Sequence, residues 1–185
     1  MIEIAQEAIR QIENHFEKSR SKIYAMLEEF HLEWQTADIL TFQDLWCRGF
    51  SLRWIAEHFG CDIDEMAVVV IDQARRGYIH PRSHGIFYYG PETQPDTNTK
   101  KRIARMKERY PETYLLFDDI DFYWDERDVL RFDHMWNEGY SLEDIATYFQ
   151  RHEDEIALLV IDRARKGYIQ PRPTGIRGVK IFERH

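Results

Sequence analysis

Four side chains in the first half of the chain have the types and spacing that could bind a metal ion. His58 and Cys61 are separated by two residues, and His80 and His84 by three, which resembles the ligand spacing of zinc sites. A closely similar stretch lies 90 residues further along the chain and has none of these ligands. Its corresponding residues are Tyr148, Arg151, Gln170 and Thr174. We therefore predict that the shared fold needs no metal and no other cofactor.

Catalytic signatures do not stand out in this sequence. It contains no Ser-His-Asp order, no glycine-rich phosphate loop and no paired-carboxylate motif beyond the background of an acidic protein. Asp and Glu number 33 against 25 Lys and Arg, which gives a formal net charge of −8. That charge repels nucleic acid and membrane surfaces alike, so any contact with phosphate must come from a local basic surface. We predict that the protein is not an enzyme.

Basic side chains are nevertheless concentrated where they could contact phosphate. They lie at the end of the third predicted helix of each similar stretch, in the turn that follows, and in a short segment between the stretches. Contacts of this kind supply the sequence-independent part of DNA affinity. The alternative is a solvated surface in which these cations pair with aspartates one helical turn earlier. The candidate DNA-binding residues are Arg75, Arg76, Arg82, Lys100, Lys101, Arg102, Arg105, Arg163, Arg165, Lys166 and Arg172.

The third predicted helix favours a different partner on its outer side. In the first stretch this helix runs over Asp64–Arg76, with Ala67, Val70, Ile71 and Ala74 assigned to the core. Bases are normally read by Arg, Lys, Asn or Gln, whereas the opposite side carries acidic and aliphatic residues. Exposed aliphatic side chains suit a protein contact better. The candidate protein-interaction residues of this alternative are Glu65, Val69, Asp72, Glu155, Leu159 and Asp162.

The elements that must position these residues come from an internal duplication. Residues 34–86 recur without a gap as residues 124–176, and 26 of the 53 pairs are identical. In the first copy we predict a helix ending before Gly49, a second helix over Leu52–Phe59 with Ser51 as its N-cap, and a third helix ending before Gly77. A small hairpin should follow, built from Tyr78–Pro81 with Ile86–Tyr89 and from Tyr168–Pro171 with Ile176–Phe182.

The domain organisation follows from the duplication. Residues 1–33 form an N-terminal segment with an apolar stripe of helical spacing over residues 2–18 and a second helical pattern over residues 21–30. Residues 34–90 and 124–185 are the two repeats, and residues 91–123 are a linker with a short basic helix. A homodimer through the N-terminal helix is an open alternative to packing within one chain.

Two of the predicted helices have a recognisable sequence pattern. The second copy has Trp124 followed by acids and then Trp136-Asn-Glu-Gly-Tyr-Ser-Leu-Glu-Asp-Ile-Ala, and the first copy retains Trp34, Trp46 and the Ile-Ala pair. This pattern resembles Myb/SANT-like domains and, more closely, bacterial GcrA-like cell-cycle regulators. The resemblance implies a helix-turn-helix fold in which the tryptophans are core residues and the third helix enters the DNA major groove.

Together these observations predict a mainly α protein of two tandem three-helix helix-turn-helix domains, each with a small β-hairpin wing as an option. Cys47 and Cys61 have no counterparts in the second copy, and no apolar run approaches the roughly 18 residues of a membrane span. We therefore expect a cytoplasmic protein without a membrane partner. The leading hypothesis is a transcription regulator of bacterial or phage type that binds duplex DNA. Its rival is an adaptor that binds RNA polymerase or another regulator.

Overall fold

The computed structural model describes residues 23–82, Gly85, 97–110 and 112–178. Over these ranges the chain is mainly α-helical, as predicted, and the order β-β-α-α-α occurs twice, over residues 23–75 and 113–165. The described elements are β1 (Ile23–Ala25), β2 (Glu33–Gln35), α1 (Thr36–Cys47), α2 (Leu52–Phe59), α3 (Ile63–Arg75), α4 (Thr97–Arg109), β3 (Thr113–Leu115), β4 (Tyr123–Asp125), α5 (Glu126–Asn137), α6 (Leu142–Phe149), α7 (Glu153–Arg165) and a 3-10 turn (Gly175–Arg177).

The strands pair across the two sequence copies. β1 runs antiparallel to β4 with Tyr24 opposite Trp124, and β2 runs antiparallel to β3 with Trp34 opposite Tyr114. Two compact units result. The first unit is Glu29–Ile120, and the second unit combines residues up to Glu28 with residues from Asp121 onward. The first strand of each copy therefore belongs to the unit that contains the helices of the other copy.

The helical pattern predicted over residues 21–30 is wrong in its described part. Ile23–Ala25 is a strand, and the chain then turns through Leu27, whose φ is 58°. Apolar residues at positions 23, 24, 27 and 30 fit helical spacing, but strand pairing with β4 overrides that local preference. The predicted N-terminal helix over residues 2–18 lies outside the described residues.

The core of each unit consists of matching side chains from its three helices. In the first unit Phe42, Ile55 and Val69 are fully buried, and in the second unit their counterparts Phe132, Ile145 and Leu159 are as well. Burying one such side chain stabilises the fold by about 1.5–3 kcal/mol. The predicted core position of the four shared tryptophans is confirmed, since none is more than 9% exposed: Trp34, Trp46, Trp124 and Trp136.

The turns that separate the helices form as predicted. Gly49 adopts a φ of 85°, and Gly139 takes the same place in the second unit with a φ of 89°. These values lie in the left-handed region that glycine enters without a Cβ clash. The Ser51 hydroxyl then accepts a hydrogen bond from the Trp54 amide at 3.1 Å and caps α2. Ser141 caps α6 in the same way through the Asp144 amide, at 3.0 Å.

The hairpin predicted after each third helix does not form over the described residues. No strand occurs within residues 78–82 or 168–178, and Gly175–Arg177 is a 3-10 turn where a second strand was predicted to begin. The His80 and Gln170 carbonyls, which a strand partner would need, accept instead from the indole N–H groups of Trp46 and Trp136, both at 3.0 Å. Residues 86–89 and 179–182 of the predicted hairpins lie outside the described ranges.

The basic helix between the copies is confirmed as α4. Ile103 on α4 is 8% exposed, and α4 packs against α1 within the first unit. Two ion pairs join the helices: Arg102 with Asp44, and Lys107 with Asp38 at 2.9 Å. The acidic side of α1 therefore binds part of the basic charge that the sequence concentrates here. Across the described helices, none has the length and apolar character that a membrane span requires.

Candidate functional site

A buried aspartate anchors each third helix to the strand segment that crosses it. In the first unit Asp72 of α3 accepts a hydrogen bond from the Tyr114 hydroxyl at 2.8 Å and another from the Phe117 amide at 3.0 Å. Asp72 is 0% exposed, and the guanidinium of Arg76 lies 3.1 Å from its carboxylate. Burial, followed by the hydrogen bond to Asp72, raises the pKa of Tyr114. The segment 113–117, which we call the first strap, is thereby fixed across α3.

The second unit repeats this anchor with the residues 90 positions away. Asp162 of α7 accepts from the Tyr24 hydroxyl and from the Leu27 amide at 2.9 Å, and Lys166 lies 3.0 Å from its carboxylate. Residues 23–27 form this second strap. Leu27 and Phe117 both have positive φ, at 58° and 53°. A left-handed non-glycine residue costs on the order of 1–3 kcal/mol, so the aspartates hold a strained turn in both units.

The straps correct the sequence assignment of the third-helix faces. Val69 and Leu159, predicted to face outward, are 0% exposed, and Asp72 and Asp162 are at most 1% exposed. The prediction that these four side chains lie on the exposed side of the third helix is therefore wrong. The straps cover this side of each helix, which the sequence pattern predicts to be exposed.

The two glutamates of the same predicted surface stabilise local structure. Glu65 accepts from the Asp62 amide at 3.2 Å and closes the capping box that begins α3. Glu155, its counterpart on α7, accepts from Arg151 at 2.8 Å. Both glutamates are half-buried. Neither is available as a fully solvated acidic contact.

The side of each third helix that remains accessible differs from the prediction. On α3, Ala67 and Ile71 are half-buried, Ala74 is exposed, and Tyr78 just beyond the helix is 56% exposed. We call these four residues the outward stripe. All four recur with the same residue type in the second unit, where Tyr168 is 61% exposed. The second outward stripe consists of Ala157, Ile161, Ala164 and Tyr168.

Two of the predicted DNA-binding arginines stabilise a buried tryptophan. The Arg82 guanidinium lies 3.6 Å from the centroid of the Trp46 ring and donates to the Phe50 and Trp46 carbonyls, both at 2.7 Å. Arg172 lies 3.8 Å from the Trp136 ring centroid and donates to the Trp136 carbonyl at 3.0 Å. Burial lowers the pKa of both guanidinium groups. These arginines connect the chain after the third helix to the first helix of their unit.

Five more of these cations pair with acidic groups. Arg75 contacts Asp119 at 2.7 Å, and Arg163 is 5% exposed at the side chain with its guanidinium against Asp133. The remaining three have been described above and are Arg76, Lys166 and Arg102. Three of the eleven candidates are exposed on α4 and form no ion pair with another described residue: Lys100, Lys101 and Arg105. Arg165 on α7 is exposed as well. The third-helix and turn cations therefore serve mainly internal contacts.

The metal-ligand spacing does not bring ligands together. His58 stacks on Trp54 with 5.4 Å between ring centroids, and burial lowers the pKa of its imidazole. Among the described residues, no group of three or more His, Cys, Asp or Glu side chains is arranged to hold a metal ion. His84 lies outside the described ranges. The prediction that the fold uses no metal stays a prediction.

The buried aspartates are the site feature that sequence reasoning missed. A signal existed, because Tyr24 and Asp72 have identical counterparts at Tyr114 and Asp162, 90 residues later. Both tyrosines precede the predicted start of the repeat at Trp34 and Trp124 and therefore lie outside the aligned residues. Comparisons with protein-family models, with curated proteins and with solved structures found no match for this chain. The resemblance to helix-turn-helix regulators therefore rests on the sequence motif alone.

Proposed function

We propose that this chain is a non-enzymatic interaction protein that binds a protein partner through the outward stripes of α3 and α7. The observation that carries this proposal is the identity of the accessible residues in both copies. Half of all aligned positions differ between the copies, yet alanine, isoleucine, alanine and tyrosine occupy the same accessible positions in each. Core packing does not require an exposed tyrosine or an exposed alanine, so a shared contact surface accounts for them better.

The chemistry of the stripes favours protein over DNA. Neither stripe contains an arginine, lysine, asparagine or glutamine, which are the side chains that usually read base edges. The first turn of α3 carries Asp64 and Glu65, and that of α7 carries Glu153, Asp154 and Glu155. Acidic groups at the start of a third helix would face the phosphates that border a major groove. An uncharged, mainly apolar stripe that ends in an exposed tyrosine instead fits the centre of a protein interface, where charged residues are depleted and tyrosine is enriched.

The proposal is tested by site-specific photo-crosslinking in cells that express the protein. A photo-reactive residue replaces Ala74 or Ala164, which are exposed and can accept a larger side chain. We expect a covalent adduct with the same partner protein from both positions. The substitutions Ile71→Glu and Ile161→Glu should abolish it, because a carboxylate would then be buried in an apolar contact.

Matched controls use the neighbouring helices. The photo-reactive residue at Glu57 or Thr147, exposed on α2 and α6, should give no such adduct. With the partner purified, the double glutamate variant should lose at least about tenfold in affinity, as expected for central apolar contacts. An adduct to DNA from the stripe positions, or equal adducts from the control positions, would contradict the proposal.

Binding to duplex DNA is the second candidate, and one observation favours it. Lys100, Lys101 and Arg105 are exposed on α4, whereas Ile103 anchors that helix on α1. Three clustered cations can contact phosphate without reading sequence. This candidate requires weak, strongly salt-dependent binding that is lost when these three residues are replaced by glutamate. The stripe variants Ile71→Glu and Ile161→Glu would leave that binding unchanged.

A further inference from the structure

The second unit contains an internal binding site for a guanidinium group. The guanidinium carbon of Arg151 lies 4.0 Å from the centroid of the Trp124 ring. Its nitrogens donate to the Glu155 carboxylate at 2.8 Å, to the Tyr123 carbonyl at 2.7 Å and to the Asp121 carbonyl at 3.0 Å. The planar guanidinium group stacks with its face on the aromatic ring. Along its edge it donates hydrogen bonds to the carboxylate and to the backbone carbonyls.

The first unit has the same receptor groups but a cysteine in place of the arginine. Trp34 and Glu65 correspond to Trp124 and Glu155, Glu33 corresponds to Tyr123, and Cys61 stands at the position of Arg151. A cavity of about 720 Å³ lies at this place. Its lining includes Glu33, Trp34, Asp38, Cys61, Glu65 and Lys107. The two copies thus share the receptor groups, and the intramolecular cation occurs only in the second copy.

The charge of this cavity suits a cation. Three carboxylates and one ammonium line it, and that ammonium, on Lys107, pairs with Asp38 at 2.9 Å. Glu65 accepts from the backbone amides of His31 and Asp62, both at 3.2 Å, and a carboxylate has capacity for further donors. Burial and the neighbouring acids raise the pKa of the Cys61 thiol to about 11, so the thiol adds no charge near neutral pH.

One contact differs between the units. The His31 carbonyl, which corresponds to the Asp121 carbonyl, accepts from the indole N–H of Trp34 at 3.0 Å. In the second unit the indole N–H of Trp124 has no hydrogen-bond partner among the described residues. A guanidinium group in the first unit would therefore use the Trp34 ring, the Glu65 carboxylate and the Glu33 carbonyl.

We propose that the cavity beside Trp34 binds a guanidinium group from outside the chain, as the second unit binds that of Arg151. The ligand is either a small guanidino compound or an arginine side chain of another protein. An ammonium group fits less well, because it cannot stack flat on the indole while donating along two directions. The site includes no residue of the outward stripes, so it goes beyond the proposed function and stands independently of it.

The test titrates the full-length protein with N-acetyl-arginine amide and follows the chemical shifts of the Trp34 indole by NMR. We expect saturable binding with a dissociation constant of about 1 mM or tighter. N-acetyl-lysine amide should bind about tenfold more weakly. The variant Cys61→Ser should bind like the wild type, because the cavity stays open. The variant Cys61→Arg should lose binding, because its own guanidinium fills the site.

The converse variant opens the equivalent guanidinium site in the second unit. Arg151→Ser removes the intramolecular cation beside Trp124, and the stoichiometry of N-acetyl-arginine amide should rise from one to two per chain. Circular dichroism establishes that each variant is folded before titration. If Arg151→Ser does not fold, the comparison of Cys61→Ser with Cys61→Arg still decides the proposal.

The source of the guanidinium is distinguished by comparing agmatine with arginine-containing peptides. Tighter binding of agmatine supports a small-molecule ligand, and tighter binding of the peptides supports an arginine side chain of a protein. Three results would overturn the proposal: no saturable shift below about 10 mM of either class, equal affinity for the lysine analogue, or undiminished binding by Cys61→Arg. The stripe variants Ile71→Glu and Ile161→Glu should bind the probe normally, which separates this outcome from that of the proposed function.

Discussion

The two units share one scaffold and differ in the surfaces that surround it. Asp72 and Asp162 make the same bonds to tyrosine and to a strap amide, and Trp46 and Trp136 stack on equivalent arginines. The position of Cys61 differs between the units. The first unit has an open cavity beside Cys61, whereas the equivalent Arg151 of the second unit forms an ion pair with Glu155. The same polar groups therefore hold the third helix and its following turn in both units, whereas the side chains around position 61 and its counterpart differ.

A second difference concerns the first helix of each unit. Ala37 and Thr41 are buried on α1, which packs against α4, whereas their counterparts Arg127 and Arg131 on α5 are exposed. Leu130 on α5 is 61% exposed. A residue near the middle of a helix can therefore be core or surface in the same fold, depending on the element that covers it. The residue types differ accordingly, with alanine and threonine where α4 covers the helix and arginine where the helix is exposed.

The largest expected effect comes from breaking the shared anchor. Replacing Asp72 or Asp162 by alanine should each lower the free energy of unfolding by about 3–5 kcal/mol, because a buried tyrosine hydroxyl, an amide and a cation lose their partner. Urea denaturation of each variant measures the loss. Tyr114→Phe and Tyr24→Phe are the controls: each removes the hydroxyl and its two hydrogen bonds, one donated to the aspartate and one accepted from Gln73 or Lys166, and should cost about 1–2 kcal/mol. A loss in only one unit would show that the anchors are not equivalent.

The arginines that stack on tryptophan should give the next largest effect. Arg82→Ala and Arg172→Ala each remove a cation–π contact and two or more bonds to carbonyls, so each should cost about 1–3 kcal/mol of unfolding free energy. Lys101→Ala, an exposed residue of α4, should be neutral within about 0.5 kcal/mol. The midpoint of thermal unfolding measures all three. If Arg82→Ala and Arg172→Ala left the free energy of unfolding unchanged, Arg82 and Arg172 would again be candidates for phosphate contacts with DNA.

Alkaline pH should destabilise the first unit through Cys61. The folded state raises the pKa of this thiol from 9.0 to about 11, so it holds its proton more tightly than the unfolded chain does. The resulting stability is fully present below pH 9 and is lost as the pH rises toward 11. Relative to Cys61→Ser, the wild-type thiol should therefore lose unfolding free energy over this window. Both proteins carry Cys47→Ser, and a constant difference across the window would contradict the assignment.

The smallest expected effect concerns the turn before each third helix. Gly60 in the first unit has a φ of 70°, and Gln150 holds the same left-handed position with a φ of 54°. Gln150→Gly relieves this conformation and should raise the free energy of unfolding by about 0.5–1 kcal/mol. Gly60→Gln should lower it by a similar amount. The expected result is that Gln150→Gly raises the free energy of unfolding and Gly60→Gln lowers it. Changes of the same sign would contradict the equivalence of the two turns.

The sequence was sufficient to predict the three helices of each repeat, but it predicted a helix where Ile23–Ala25 is a strand, and it was insufficient for the surfaces. Glycines and serines at fixed positions specify where helices end and begin, and a repeat with buried tryptophans specifies the core. The straps could not be inferred because three-residue strands lack a clear periodic signal, and strand exchange between copies depends on distant pairing. Without the straps, a helical wheel places Val69 and Asp72 on the exposed side of α3, although both are buried. The role of Arg82 was also invisible, since its partners Trp46 and Phe50 lie more than 30 residues earlier.

We propose that the accessible third-helix surfaces bind protein rather than DNA. Most of the basic residues predicted to contact phosphate are engaged within the fold. A fluorescently marked duplex of random sequence, titrated with the full-length protein across a salt series, tests this most directly. At about 50 mM salt, where electrostatic affinity is strong, we predict no binding beyond the weak contribution of α4. Tight binding, with a steep salt dependence that survives glutamate at Lys100, Lys101 and Arg105, would contradict the claim.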